Sequence, residues 1–206
     1  AARAAAQRLH AARVDAAAEL QKRILSELRD LDMSKVRFEI AFEEKELESD
    51  GADKARFLMS ANAGEELRSI HKIASGGELA RIMLALKNVL AETDHVGTLV
   101  FDEVDTGVSG RAAQRVGEKM VQVSRRKQVL CVTHLAQIAA MADVHFSVEK
   151  GESGGRTYTR VTQLDRARRM EELARITGGA HITDALLEST GEMLDAAQNY
   201  RDRFRS

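Results

Sequence analysis

The chain has 206 residues, 44% of them hydrophobic, and 31 Lys or Arg against 32 Asp or Glu give a formal charge of −1. That length supports one core, or one core with an appendage, and the balanced charge leaves no overall basic footprint for a nucleic acid. A single cysteine, Cys131, excludes a disulfide framework and fits a reducing cytoplasm, and neither a membrane-length apolar run nor a signal peptide is present.

The chain contains no proline, so its turns rest on Gly, Asn and Asp, and nothing in the sequence explains that absence. It begins without Met, inside a helical pattern, and reads as a piece of a longer chain. Residues 1–31 are rich in Ala, Arg, Glu and Leu and hold no Gly. Leu20, Ile24, Leu28 and Leu31 form a helical stripe that Leu9 and Val14 extend poorly. Two readings stay open: a long surface helix packed on its own domain, or the end of a coiled-coil arm, favoured by the small apolar bulk of the first turns. Val36, Phe38, Ile40 and Phe42 then alternate with Arg37, Glu39, Ala41 and Glu43, as in a half-buried strand. Asp50-Gly51 marks a turn, residues 55–60 read as the antiparallel partner, and Asn62-Ala63-Gly64 ends it.

Leu79, Ile82, Met83, Leu86 and Leu90 share one face of a predicted helix that opens at Ser75-Gly76-Gly77-Glu78. The run GTLVFDEVD, residues 97–105, holds Asp102-Glu103 near its end. Its lack of alternation predicts a strand covered on both faces, as in a parallel sheet. A helix over 111–124 turns Val116, Met120 and Val123 inward. A second buried strand ends at His134, and a short helix follows over 135–142. Residues 144–150 and 156–164 read as a hairpin around the loop 151–155. Two helices split at Gly178-Gly179 close the chain, with Thr183 as the cap of the last.

Three of these features carry chemistry. Ser75 followed by Glu78 makes a capping box, which many helices carry without function. Paired glycines at a helix N-terminus also let a phosphate approach free N–H groups and the positive end of the dipole. Asp102 and Glu103 stand where a buried strand ends, the edge at which open α/β sheets bind ligands. One carboxylate there can hold Mg²⁺ through water while the other orients and deprotonates an attacking water. A solvated acidic turn is the alternative. His134 ends the second strand on the same edge, and a structural role and a functional one stand about level. Cys131 and His134 lack a second Cys/His pair at ligand spacing, which leaves no zinc site.

The three motifs occur in the order and context of the C-terminal half of an ABC-type ATPase. ASGGE resembles the ABC signature in its SMC-like form, TLVFDE resembles Walker B with its catalytic Glu, and VTH resembles the switch histidine. In KIASGGELARIMLALK, LVFDEVDTGVSGRAAQ and QVLCVTHLAQIAAMAD the wording is similar to the RecN family of bacterial DNA-repair ATPases. The implied fold class is α/β: the C-terminal lobe of an ABC/SMC-type ATPase head, of the P-loop NTPase class, with a mostly parallel sheet, flanking helices, antiparallel hairpins and an N-terminal coiled-coil helix. Residues 1–33 would be the end of the arm and 34–206 the lobe. The resemblance implies that Ser75, Gly76 and Gly77, with Glu78, contact the γ-phosphate of ATP bound to a second subunit. Asp102 would hold Mg²⁺, Glu103 would act as general base, and His134 would sense the γ-phosphate. Asp105, Gly107, Ser109 and Gly110 would lie in a loop that crosses the dimer interface. Most ABC proteins have Asp where this chain has Ser109, and the family usually has Pro in the turn 62–64.

No G-x-x-x-x-G-K-[ST] occurs, and no Gly is followed by Lys. The phosphate-cradling loop and its lysine are absent from these residues, and the resemblance places them in an N-terminal lobe ahead of the coiled coil. The expectation is therefore half of an active site. It belongs to a Mg-dependent ATPase of DNA double-strand-break repair and recombination, cytoplasmic and nucleoid-associated, with no membrane. The heads pair as a homodimer, DNA enters by resemblance alone, and this chain by itself is inactive. The alternatives are a self-contained metal-dependent hydrolase using Asp102, Glu103 and His134, and a non-catalytic coiled-coil interaction module. A transporter subunit is disfavoured by Glu78 and the arm. The basic runs 125–127, 166–169 and 201–205 read as solvated faces.

Overall fold

The computed structural model describes residues 1–60, 64–72, 76–91, 93–153, 156–179 and 181–203. They pack as two compact units, Ala1–Val96 and Gly97–Ser206. Among the described residues the strands form a three-stranded antiparallel sheet, a two-stranded parallel sheet and a two-stranded antiparallel hairpin. The parallel part is thus two strands wide, and antiparallel pairs make up the rest.

The first unit opens with helix α1 (Ala2–Asp30), built from Ala, Leu, Arg and Glu, which lose little entropy in a helix. Ile24, Leu28 and Leu31 of the stripe are buried, whereas Leu9 and Val14 are exposed. The helix packs on the hairpin β1 (Arg37–Glu48) and β2 (Gly51–Ser60) and on helix α2 (Gly76–Val89). Polar bonds tie it down at both ends. Arg13 donates to the Asp50 carbonyl at 2.7 Å, His10 Nδ1 lies 2.8 Å from Asp53 Oδ1, and Arg23 donates to the Val89 carbonyl at 3.2 Å. Buried Phe38 stands opposite Met59 in the hairpin, and Glu48 pairs with Gly51 across the two-residue tip Ser49-Asp50. Both strands run further out than the alternation predicts. Their outer halves are polar on both faces and are held by pairing and by ion pairs such as Arg56–Glu43 at 2.8 Å. A two-residue strand β3 (Arg68–Ser69) adds to β2, and a 3-10 turn follows at Ile70–Lys72; neither is long enough to show a period. Asn62 and Ala63 lie outside the described residues. Helix α2 buries Ile82, Leu84, Ala85, Leu86 and Val89 and leaves Met83 37% exposed. This corrects the expected face: Leu84 and Ala85 turn inward in place of Met83.

In the second unit, β4 (Thr98–Phe101) and β5 (Gln128–Cys131) pair in parallel, with Leu99 opposite Val129 and Phe101 opposite Cys131. Helix α3 (Gly110–Ser124) connects them and buries Val116, Met120 and Val123, as expected. Leu99 and Phe101 are buried, but Val100, Leu130 and Val132 are 67%, 49% and 63% exposed. Within this unit the sheet is therefore covered on one face only, a correction to the doubly covered strands that the apolar runs predict. The second strand also stops at Cys131, short of His134. Helix α4 (Ala136–Ala140), hairpin β6 (Phe146–Ser153) with β7 (Arg156–Gln163), and helices α5 (Arg166–Gly178) and α6 (Asp184–Asp202) complete the unit. Ala136, Ala139 and Ala140 let α4 approach Leu173 of α5 and Leu194 and Ala197 of α6 closely. Asp165 accepts from the Arg168 N–H at 2.9 Å and Thr183 from the Leu186 N–H at 3.2 Å, so each of the last two helices has its side-chain cap. Gly179, at φ 69°, ends α5 in a conformation that suits a residue without Cβ. No helix among the described residues is long and apolar enough to cross a membrane.

Two arginines collect the last carbonyls around α4. Arg169 donates to Ala140 at 3.2 Å and Ala142 at 2.8 Å, and Arg201 donates to Ala140 at 3.0 Å. Beside them His145 has a buried Nδ1 with no hydrogen-bond partner. Burial, and then the Arg169 guanidinium, hold its pKa below the ordinary histidine value. The fold therefore prefers neutral His145. The stability this contributes is fully present above the unfolded value of about 6.5 and is lost as pH falls through the lower folded value. The urea midpoint should hold between pH 8 and pH 7 and drop below about pH 6.5. His145→Gln should show a shallower acid-side drop, and equal slopes for the two proteins would remove His145 from the acid response.

Candidate functional site

The site in the second unit is built on the C-terminal ends of β4 and β5. A parallel pair delivers both ends to one edge, so the loop after each strand meets the other there. Asp102 and Glu103 follow Phe101 directly and are exposed. Asp102 Oδ1 accepts from the Glu103 N–H at 2.9 Å. Glu103 has φ 57°, a left-handed conformation uncommon for a side-chain-bearing residue and often found where function fixes the backbone. The Thr106 N–H then donates to the Glu103 carbonyl at 3.1 Å.

Asp105 holds the edge together. Its side chain is 2% exposed, and Oδ2 receives the Thr133 hydroxyl at 2.6 Å and the His134 N–H at 2.9 Å. The same oxygen lies 3.0 Å from His134 Nδ1. Thr133 in turn accepts from the Leu135 N–H at 3.1 Å. The loop after β4 is thus bonded to the loop after β5, while the His134 ring stays 75% exposed. Gly107, Ser109 and Gly110 are exposed, and both glycines have positive φ, 75° and 50°. Ser109 caps α3 with extended backbone and no side-chain cap bond. In the segment 105–110, then, Asp105 turns inward and the next residues face out. No spacing rule announces a bond between residues 28 positions apart, so Thr133 and the role of the Asp105 carboxylate are what the sequence reading misses.

Cys131 stands at the last position of β5. Burial first, then the Asp105 and Asp102 charges, push its thiol up to about 12. It is a poor nucleophile at neutral pH. Among the described residues no three His, Cys, Asp or Glu side chains stand together as a metal cage. Asp102, Glu103 and His134 follow β4 and β5 on one edge.

The predicted phosphate turn belongs to the first unit. Ser75 lies outside the described residues. Helix α2 begins at Gly76, with Gly77 buried and Glu78 in its first turn. Arg81, one turn on, is buried; burial lowers its pKa, and the Glu78 charge opposes that shift.

Among solved structures, the chain is similar to the Smc head domain with a coiled coil and joint from Pyrococcus yayanosii. The TM-score is 0.57 at 22% identity, over 77% of this chain and 29% of that one. It is also similar to the Smc head domain with an extended coiled coil from Pyrococcus furiosus, bound there to the C-terminal domain of ScpA. That TM-score is 0.52 at 20% identity, over 77% of this chain and 37% of that one. The fold is similar to that of these Smc head domains, α/β with parallel and antiparallel sheets. No family model matches the chain. Its sequence is nonetheless similar to the DNA repair protein RecN of Halalkalibacterium halodurans, 44% identical over 190 residues, and of Bacillus subtilis, 40% identical over 201 residues. Each match covers 90% of this chain. The chain is thus similar in fold to Smc head domains and in sequence to RecN. It spans about a third of the length of these curated relatives, 34% and 35%.

Proposed function

We propose that the chain is the C-terminal lobe of a RecN-like ATPase head that acts in DNA double-strand-break repair, and that it carries half of an ATP site. The supporting observation is the single edge that presents Asp102, Glu103 and His134 together, fixed by the buried Asp105. Glu103 is the general base toward an attacking water, and His134 faces the γ-phosphate. Gly76, Gly77 and Glu78, with Ser75, serve the nucleotide of a second subunit, and Gly107, Ser109 and Gly110 face the other head. Residues 1–33 belong to the coiled-coil arm. DNA enters through the RecN relatives alone.

The surroundings of the Asp102 carboxylate support Mg²⁺ binding there. Its carboxylate is exposed and one oxygen is spent on the Glu103 N–H. Mg²⁺ bound to a nucleotide needs only one or two protein carboxylates and keeps several waters, so the lack of a three-ligand cage does not count against it. The ion would supply charge neutralisation on the phosphates. Asp102 would anchor it from the strand end, and Glu103, one residue on, would remain available for water.

The test is phosphate release with Mg-ATP. The 206-residue chain alone should give no steady turnover, because the backbone cradle and lysine that bind the phosphates are not in it. Adding the Walker A lobe, in trans or through a short linker, should restore nucleotide binding and some turnover. Steady turnover by the isolated chain that disappears in Glu103→Gln would show the site to be complete and the half-site reading wrong.

A further inference from the structure

We propose that Asp105 is a positioning residue: its buried carboxylate holds the His134 ring through Nδ1 and leaves Nε2 as the atom presented at the strand edge. The inference rests on the reading of His134 as the γ-phosphate contact and adds a second residue to it.

The geometry carries it in three steps. A carboxylate that is 2% exposed needs donors, and Asp105 Oδ2 has two, the Thr133 hydroxyl at 2.6 Å and the His134 N–H at 2.9 Å, with His134 Nδ1 in ion-pair range at 3.0 Å. The first two bonds are independent of the ring and pin the backbone on which the ring is mounted. With its own N–H and its neighbour's hydroxyl fixed to one oxygen, His134 starts from a set position. An ionised carboxylate has no proton to give, and a bare Nδ1 lone pair 3.0 Å from it would be repelled, so Nδ1 carries the proton in this contact. In the neutral ring that makes Nε2 the unprotonated nitrogen, and the 75% exposed ring directs it outward. A second partner that fixes which ring nitrogen carries the proton is a recurrent way of setting a histidine's chemistry.

The same carboxylate begins the segment 105–110, where the Val108 N–H donates to the Asp105 carbonyl at 3.3 Å. One residue therefore anchors both the outward-facing loop after β4 and the ring after β5. A displaced segment would carry the acceptor away from His134, so the ring is held only while that loop is in place.

The experiment has two readouts. Nitrogen-15 NMR of the histidine rings in the 206-residue chain, with His134 assigned by its loss in His134→Gln, should show Nδ1–H with Nε2 unprotonated. Asp105→Asn keeps the shape and an acceptor for Thr133, and it should move the ring toward the Nε2–H form that free histidine favours. Thr133→Val removes a bond on the same oxygen without touching the ring, and it should lower the melting temperature but keep the Nδ1–H form. In the protein that also carries the Walker A lobe, Asp105→Asn should lower kcat by about 10–100-fold, with the KM for ATP changed by less than about threefold. An Nε2–H ring in the unmodified chain overturns the proposal even if Asp105→Asn fails to fold. Unchanged kcat in Asp105→Asn beside a strong loss in His134→Ala overturns it too. Normal turnover in His134→Ala instead strikes the reading of His134 itself.

Discussion

Glu103→Gln, in a protein that carries the Walker A lobe as well, is expected to slow ATP hydrolysis by a factor on the order of 10² or more and to leave ATP binding intact. The substitution keeps the side chain's length and shape and removes its basicity. Glu103 is exposed, and only its main chain enters the bonds of the strand-end turn, accepting from Thr106 and donating to Asp102. The variant should therefore fold as well as the parent, with a stability change inside about 0.5 kcal/mol. The left-handed φ of residue 103 burdens Gln as it does Glu, so the turn should not move. If hydrolysis is what separates two paired heads, the ATP-bound dimer of this variant should persist where the parent's decays. Single-turnover phosphate release and size-exclusion mass with ATP read the two effects separately. Near-normal turnover would remove Glu103 from the mechanism and return the pair 102–103 to a solvated acidic turn.

The parts that were legible in the sequence are those with a period or a fixed turn chemistry. The stripe at Ile24, Leu28 and Leu31, the alternation at Phe38, the inward triplet Val116, Met120 and Val123, and the Thr183 cap all read correctly because burial or capping dictates them locally. Leu99–Phe101 misled for a physical reason. An unbroken apolar run signals what the strand is built to pack against, not what covers it within these residues, and so Val100 stands bare. β3 escaped because two residues carry no period, and the outer halves of β1 and β2 because their side chains are polar on both faces. At the site, Asp102 and Glu103 were legible as a strand end, and His134 as lying on the same edge although its strand stops three residues earlier. The buried Asp105 was legible only as part of a loop, since its partners Thr133 and His134 are brought to it by the parallel pairing of β4 with β5. Long-range register, which places those donors, is a property of the sheet and leaves no mark in either segment alone.

Ser75→Arg is expected to abolish ATP-driven dimerisation while ATP still binds the Walker A side. The reading behind it is that Ser75, Gly76 and Gly77 approach the nucleotide of the other subunit. Helix α2 starts at Gly76, and Gly77 is buried. Small residues at such a helix start let a phosphate reach the free N–H groups. An arginine would fill that approach and supply its own cation where the phosphates of a second subunit would sit. The competing account takes Ser75 as the cap of a capping box with Glu78 and nothing more. Losing the cap costs about 1 kcal/mol, a fall of roughly 2–4 °C in melting temperature for a domain of this size, and has no bearing on how two heads meet. The two accounts therefore separate in a pair of measurements on one variant. The ATP-contact account expects monomers at saturating ATP, with nucleotide affinity at the Walker A lobe preserved. The capping account expects a small drop in melting temperature and ATP-dependent dimers as in the parent, and that outcome would leave Ser75 with a structural role alone.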